Sequence, residues 1–334
     1  MAEMTNSSGR SGGTTSWFDK LTMRSTEAPA RPKDLTMRST EAAVASKDLM
    51  VSLSNHEVRA RRPHLSPGTI ATYALLGAGT IVMLLPFAWM VSTSLKSGEA
   101  TFVTPPQLIP AQPTIDNYVR VFDSVPMGQF LLNSMFVSVT STVLMVLFCA
   151  MSGYAFARIK FPGREVLFYA YLATLMIPQQ VTLTPLFIIM TWLDWTNTYQ
   201  ALILPASFSA FGTFLLRQFF LRLPREVEEA AFMDGAGYVR IFFDVAIHLA
   251  RPALATLAVF AFMASWNSFL WPLIVTSNQS MMTLPLGLSF LQGRWATDWN
   301  VLMAGTVIGT LPIIAVYVFA QKYIIQGLST TGLK

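Results

Sequence analysis

Three long stretches of the chain, Ser124 to Ala157, Val166 to Leu193 and Pro252 to Gly293, contain no Asp, Glu, Lys or Arg. Such runs restrict the fold severely, because charged groups are what keep a folded surface in water. With 53% of 334 residues hydrophobic and 12% charged, there is more apolar surface than a water-soluble domain can hide. The chain belongs in a bilayer.

Six segments are long enough, at about 1.5 Å rise per residue, to cross a hydrocarbon core about 30 Å thick. They run Ile70 to Leu95, Phe130 to Ala157, Val166 to Met190, Tyr199 to Phe220, Ala253 to Thr276 and Val301 to Gln321. Pro178 and Pro185 interrupt the third, so Val181 to Leu193 is open to being a separate short helix near the outer face. Six remains the expected count, because prolines within spans are tolerated where neighbouring helices satisfy the freed carbonyls.

The net charge of +5 does not point to nucleic acid, because the cations flank apolar runs rather than forming one stripe. Arg59, Arg61 and Arg62 precede the first span; Arg158, Lys160 and Arg164 fill the second loop; Arg217, Arg222, Arg225, Arg240 and Arg251 fill the fourth. The alternate loops hold only Lys96, Arg120 and Arg294. The positive-inside bias therefore places both termini in the cytoplasm. Cys149 stands alone in an apolar run, and His56, His64 and His248 are scattered singly. Neither a disulfide framework nor a metal centre is expected.

Residues 1–65 differ from the rest. They are rich in Ser, Thr, Ala, Pro and charge, lack a signal-peptide core, and carry Leu21 to Ala28 again as Leu35 to Ala42. The composition predicts a disordered cytoplasmic tail ahead of a transmembrane permease domain, 66–334. The competing expectation is that translation begins at Met50.

The fourth loop, about 221–252, reads as a helix, a turn and a second helix under the membrane. Pro224 suits a first turn, Glu226, Glu228 and Glu229 favour the positive end, and Gly235 with Gly237 permits a turn before Tyr238. Ala230 and Ala231 leave little side-chain bulk, so a partner can approach the backbone while Glu229 offers a carboxylate. From spacing alone an ordinary alanine-rich loop is an equally good description.

Glu229, Ala230, Ala231 and Gly235 resemble the Glu-Ala-Ala, three residues, Gly signature of membrane permeases of bacterial binding-protein-dependent ABC importers. Asp234 and Ala236 resemble the Asp-Gly-Ala form of the carbohydrate-uptake branch. The Ile-x-Leu-Pro element of that signature falls on Val245, Ala246, Ile247 and His248, with histidine where proline is usual. Further blocks are similar to the maltose permease G group: Trp89 to Lys96, Pro105 to Tyr118, Tyr154 to Arg158 with Phe161-Pro162-Gly163, and Trp266-Asn267 to Trp271-Pro272.

The resemblance implies an all-α integral membrane protein of the type I ABC importer permease fold, with six transmembrane helices and a cytoplasmic coupling loop. It implies residence in the bacterial inner membrane beside a second permease, most simply as a heterodimer. Two cytoplasmic ATPase subunits and an extracytoplasmic solute-binding protein complete the expected assembly. Glu229, Ala230, Ala231, Asp234 and Gly235 become the ATPase-coupling residues, and Gly293 with Arg294 a contact for the binding protein. The chain lacks a Gly-x-x-x-x-Gly-Lys-Ser/Thr loop, so no cofactor is expected on it, and ATP-Mg belongs on the partner ATPases. Asn267 and Trp271 stand at i, i+4, a helical spacing that presents an amide and an aromatic face together to a sugar. Interfacial anchoring of Trp271 and helix bonding by Asn267 explain the same pair.

An ion-coupled carrier needs ionisable groups inside the bilayer, and the charge-free runs leave them no obvious place. A membrane enzyme needs clustered nucleophiles, bases or ligands, and none is found. The same importer class carrying a glycerol phosphate ester or a polyol is the closer alternative.

Overall fold

The computed structural model describes residues 67–98, 104–105, 107–292 and 297–329. The expected tail, 1–65, and the expected binding-protein contact at Gly293 and Arg294 lie outside these residues. Two compact units divide the chain, Met1–Leu75 and Leu76–Lys334. The described part of the first is the opening of helix α1 (Pro67–Ser94), where Thr72 Oγ1 donates to Gly68 O at 2.9 Å.

In the second unit, the apolar side chains of α1 from Ile81 to Phe87 are exposed, and only Ser92, Thr93 and Ser94 of the helix are buried. An apolar helix without a polar face suits lipid or a partner subunit, not water. A short helix, α2 (Asp116–Ser124), leads into the central α3 (Met127–Arg158). The chain continues through α4 (Arg164–Ala173), α5 (Gln179–Trp192), α6 (Tyr199–Ile203) and α7 (Ala210–Arg222). Then come α8 (Arg225–Met233), α9 (Tyr238–Ile241), α10 (Ile247–Leu249) and α11 (Arg251–Trp266). The last three are α12 (Leu270–Val275), α13 (Leu284–Ser289) and α14 (Trp299–Ser329). No β-strand occurs among the described residues.

Helix α3 packs on α7 and α11, α11 on α14, and α14 on α2. Lipid supplies no hydrophobic drive between helices, so close packing must hold them. Small residues set that closeness: a Cβ on Gly153 would lie 3.0 Å from Arg217 N, and one on Gly212 would lie 2.8 Å from Cys149 Sγ. Trp266 ties α11 to α14 by donating its indole N–H to Gly309 O at 3.1 Å.

Three helices are long and apolar enough to span outright: Pro67–Ser94, Met127–Arg158 and Trp299–Gln321. Three bent helix pairs bring the count up to six if each pair crosses as one. The third expected span, Val166 to Met190, breaks by 102° between Arg164–Met176 and Gln179–Trp192. Pro178 causes this, since it disfavours helical backbone at Ile177, which is extended at φ −85° and ψ 115°. The fourth bends by 42° at extended Phe208, and Ser209 restarts the helix by accepting from Gly212 N at 3.1 Å. The third pair bends by 80° between Tyr238–Leu249, which belongs to the loop expected at about 221–252, and Arg251–Trp266, which opens the fifth expected span.

That fifth span also corrects an expectation. It was expected to run Ala253 to Thr276, but α11 ends at Trp266, and a break of Asn267, Ser268 and Phe269 precedes α12. Asn267 and Trp271 therefore do not share a helical face. Asn267 is exposed and caps its own helix, its Nδ2 donating to Met263 O at 2.9 Å. Trp271 is buried, its Nε1 donating to Ala201 O at 2.8 Å. Arg217, expected among loop cations, lies inside α7 and is buried.

Candidate functional site

The helix–turn–helix expected in the fourth loop is present and closely specified. Helix α8 stops at a left-handed Gly235 with φ 81°, while Ala236 N donates to Ala231 O and Gly235 N to Phe232 O, both at 3.0 Å. Those two bonds form a Schellman cap, which satisfies terminal carbonyls and needs a residue without a Cβ at the left-handed position. Phe232 and Tyr238 then meet edge to face across the turn, with centroids 5.0 Å apart. Beyond α9 the helix widens into a π turn, Phe242–Ala246, after which His248 Nδ1 lies 3.1 Å from Phe243 O.

Glu229, Ala230, Asp234 and Gly235 are exposed, and Ala231 is half-buried. The inner side of α8 is fastened to the bundle. Glu228 is buried, with Oε1 3.1 Å from Arg158 Nε at the end of α3. Neither of these atoms makes a hydrogen bond, so the contact is Coulombic. Arg158 also donates from Nη2 to Leu223 O at 2.6 Å, holding the turn before α8. Burial pushes the Glu228 carboxyl above its usual value, against the pull of Arg158 and Arg225. Ala231 and Ala236 pack against the buried cluster that contains Tyr154, Phe220, Ile241 and Phe242.

A second charged tie lies beside it. Arg217 Nη2 donates to both oxygens of Glu165 at 2.9 and 2.8 Å, Nε donates to Phe156 O at 3.2 Å, and the guanidinium lies 4.0 Å over the Phe168 ring. It joins α7 to the start of α4. Between the two ties is a cavity of about 660 Å³ whose walls include Lys160, Arg164, Arg225, Glu229 and Phe232. The sequence marked Glu228 only as a charge near a helix start; its partner, seventy positions earlier, carries no local signal.

A different cavity, of about 500 Å³, lies where the helices break. Gln179, Gln180 and Thr182 open α5 along it; Phe208 and Ser209 come from the second break, and Ser268 and Phe269 from the third. Ala261, Ala264 and Ser265 of α11 supply a small-residue wall, and Trp271 and Thr283 complete the far side. Of the two residues expected along a substrate path, Trp271 lines this cavity and Asn267 does not. The amides at Gln179 and Gln180 were missed, although two glutamines directly after a proline in a charge-free run are a legible sign.

Broken helices around a cavity inside an apolar bundle define a membrane transport protein, because irregular backbone at membrane depth is tolerated only where it lines a cavity or is buried. The chain belongs to the family of binding-protein-dependent transport system inner membrane components, whose profile matches residues 148–330. It is thus a multi-pass inner-membrane permease subunit, a transporter and not an enzyme. The chain is 36% identical over 265 residues to the arabinooligosaccharides transport system permease protein AraQ of Halalkalibacterium halodurans, covering 79% of this chain and 94% of that one. It is 34% identical over 268 residues to the sn-glycerol-3-phosphate transport system permease protein UgpE of Yersinia enterocolitica, covering 78% and 95%. A crystal structure of a bacterial ABC transporter involved in the import of the acidic polysaccharide alginate superposes with a TM-score of 0.70 at 26% identity, covering 78% of this chain and 99% of that one.

Proposed function

We propose that this permease translocates a carbohydrate received from an extracytoplasmic binding protein, by alternating access driven by two separate ATPase subunits, beside a second permease. Both termini lie in the cytoplasm, and ATP-Mg binds the partners only. Glu229, Ala230, Ala231, Asp234 and Gly235 form the handle that the ATPases move. The observation that carries this reading is the two-sided character of α8: Glu229 and Ala230 are exposed while the adjacent Glu228 is pinned to Arg158 of α3. A push on the exposed side passes into the central helix rather than bending a loose loop.

The binding-protein contact is assigned to Gly293 and Arg294, and the substrate path to the cavity that includes Trp271. Asn267, beside that cavity's wall residue Ser268, stays a candidate at the mouth of the path. A glycerol phosphate ester is the competing cargo, favoured by the likeness to the sn-glycerol-3-phosphate permease.

Glu229→Lys tests the handle. The expected result in vesicles holding the whole complex is loss of solute uptake, with ATPase either released from the membrane or hydrolysing without transport. Uptake at the wild-type rate would overturn the reading.

A further inference from the structure

We infer that the charged cavity at the basic end of the bundle and an apolar trough beside it on the membrane side together hold one anionic phospholipid, the headgroup in the cavity and an acyl chain in the trough. Nothing in this depends on which solute the permease carries.

The cavity of about 660 Å³ between the two ionic ties is lined by four cations and three carboxylates, which leaves one positive charge in excess. Much of the charge is already matched, since Arg158 pairs with Glu228 and Arg164 with Glu165. Lys160 and Arg225 are exposed and have no ion-pair partner among the described residues. Glu229, the remaining carboxylate, is exposed on the handle. Basic pockets between helices at a membrane surface attract anionic headgroups, and a single phosphodiester matches the excess here.

The trough is a separate cavity of about 430 Å³, walled by Phe148, Met151 and Phe156 of α3, Leu167 and Tyr171 of α4, and Phe208. Several of its polar groups are already bonded within the wall. Ser152 Oγ meets Thr213 Oγ1 at 2.8 Å, Cys149 Sγ donates to Ser209 O at 3.4 Å, and Ser209 Oγ accepts from Gly212 N at 3.1 Å. The trough therefore asks for an apolar occupant. Helix register puts it in line with the charged cavity. Leu167 and Tyr171 of the trough lie three and seven residues after Arg164 of the cavity, and Met151 lies seven before Arg158, so α4 and α3 each present both spaces on one face. Arg217 braces the junction, donating to Glu165 of the cavity and to Phe156 O of the trough at 2.9 and 3.2 Å.

Length decides between an acyl chain and a neighbouring helix. From Arg158 to Phe148 the axis of α3 rises about 15 Å, half of a hydrocarbon core of about 30 Å and so the depth of one leaflet. A spanning helix from a second permease would need a groove twice as long. Met151, Leu167 and Phe208 are exposed, so the trough opens outward, where a lipid chain can enter.

The test uses the complete importer in nanodiscs that contain phosphatidylglycerol with a photoreactive diazirine on its acyl chain, or phosphatidylcholine with the same chain. Crosslinks are mapped by peptide mass spectrometry and normalised to labelling elsewhere in the permease. Segments 148–156 and 167–171 are expected to be labelled at least about fivefold more by the phosphatidylglycerol, and Lys160→Gln with Arg225→Gln to lower that labelling by about fivefold for each cation removed. Leu167→Trp fills the trough, leaves every charge in place and is expected to lower it severalfold. Equal labelling by the two probes, absence of labelling in both segments, or an excess that Leu167→Trp leaves unchanged overturns the inference. Inorganic phosphate, compared with chloride at equal ionic strength, is expected to leave the labelling in place; if it abolishes the labelling, the cavity is a free-anion site and the lipid assignment is wrong. If Lys160→Gln with Arg225→Gln releases the ATPase while the phosphatidylglycerol excess persists, a segment of the ATPase fills the cavity and the inference is likewise wrong. Should that double variant fail to assemble, Leu167→Trp decides alone.

Discussion

The two ends of the bundle are held by different chemistry. At the basic end the ties are ionic: Arg158 with Glu228, and Arg217 with Glu165. At the opposite end the buried ties are neutral amides bonded to backbone, and the ion pair there, Arg120 with Asp298, is exposed. Asn133 Nδ2 donates to Ser280 O and Met282 O at 2.8 and 2.9 Å, while its Oδ1 accepts from Tyr199 OH at 2.8 Å. Asn117 Nδ2 donates to Ser94 O and Lys96 O, both at 2.8 Å, and Asn300 Nδ2 to Lys96 O at 2.7 Å. Asn197, at φ 60°, accepts from Ser277 N and Asn278 N at 3.2 and 2.9 Å.

Amide bonds to carbonyls fix irregular loops at defined points and do not respond to charge. Ion pairs can be strengthened or weakened by a neighbouring charge or by water. The end that the proposed handle occupies is thus built to sense charge, and the opposite end is built to hold shape.

The largest expected effect breaks the basic end. Arg158→Met leaves Glu228 buried without its cation and removes the bond to Leu223 O, costing about 3–5 kcal/mol. Thermal unfolding of the purified permease in detergent should show a large drop, and retention of the wild-type midpoint would mean that the ion pair holds nothing. Asn133→Leu attacks the other end. It orphans two carbonyls and a hydroxyl, an expected loss of about 2 kcal/mol, with the same size between about pH 5 and pH 8 because no charge is involved. A marked pH dependence of that loss would remove the distinction between the ends.

Glu228→Gln sharpens the comparison through pH. Because burial raises the folded-state pKa of Glu228 above the ordinary glutamate value of 4.5, its protonated form is favoured by folding. The contribution is fully present below that value and is lost as pH rises through the folded pKa. Wild type should therefore lose ground to Glu228→Gln across that rise, read as converging or crossing unfolding midpoints. A wild type that gains on the variant with rising pH would show that the attraction to Arg158 outweighs burial. The smallest effect is Arg120→Ala. Its pair with Asp298 is 2.5 Å long but 53% and 40% exposed, so under about 1 kcal/mol is expected.

Much of this architecture was legible because lipid makes simple demands. Apolar runs, flanking cations and Gly235 at a left-handed helix stop each act over a few residues, so the sequence displays them. The break at Pro178 was half-visible, since proline announces a fault but not an angle of 102°. The break at Asn267, Ser268 and Phe269 was not visible, because none of those residues forbids a helix, and tertiary contacts decide it. The buried bond from Trp271 to Ala201 O shows what won: an indole at i, i+4 was pulled to another element instead. Pairings such as Arg158 with Glu228 and Asn133 with Ser280 join residues far apart in the chain, and no period or spacing encodes them. The cavity was missed for a related reason, since its amides and hydroxyls come from three separate faults and meet only after folding.

One contact near the amide end reaches further than its size. Helix α13 lays the bare Cα of Gly287 against the ring of Phe130, where an added Cβ would fall 2.1 Å from the ring carbon. There is no slack between them, so α13 and the start of α3 must travel as a single piece. A methyl group placed there would act as a doorstop, wedging this end of the bundle while leaving the end tied by Arg158 and Glu228 untouched.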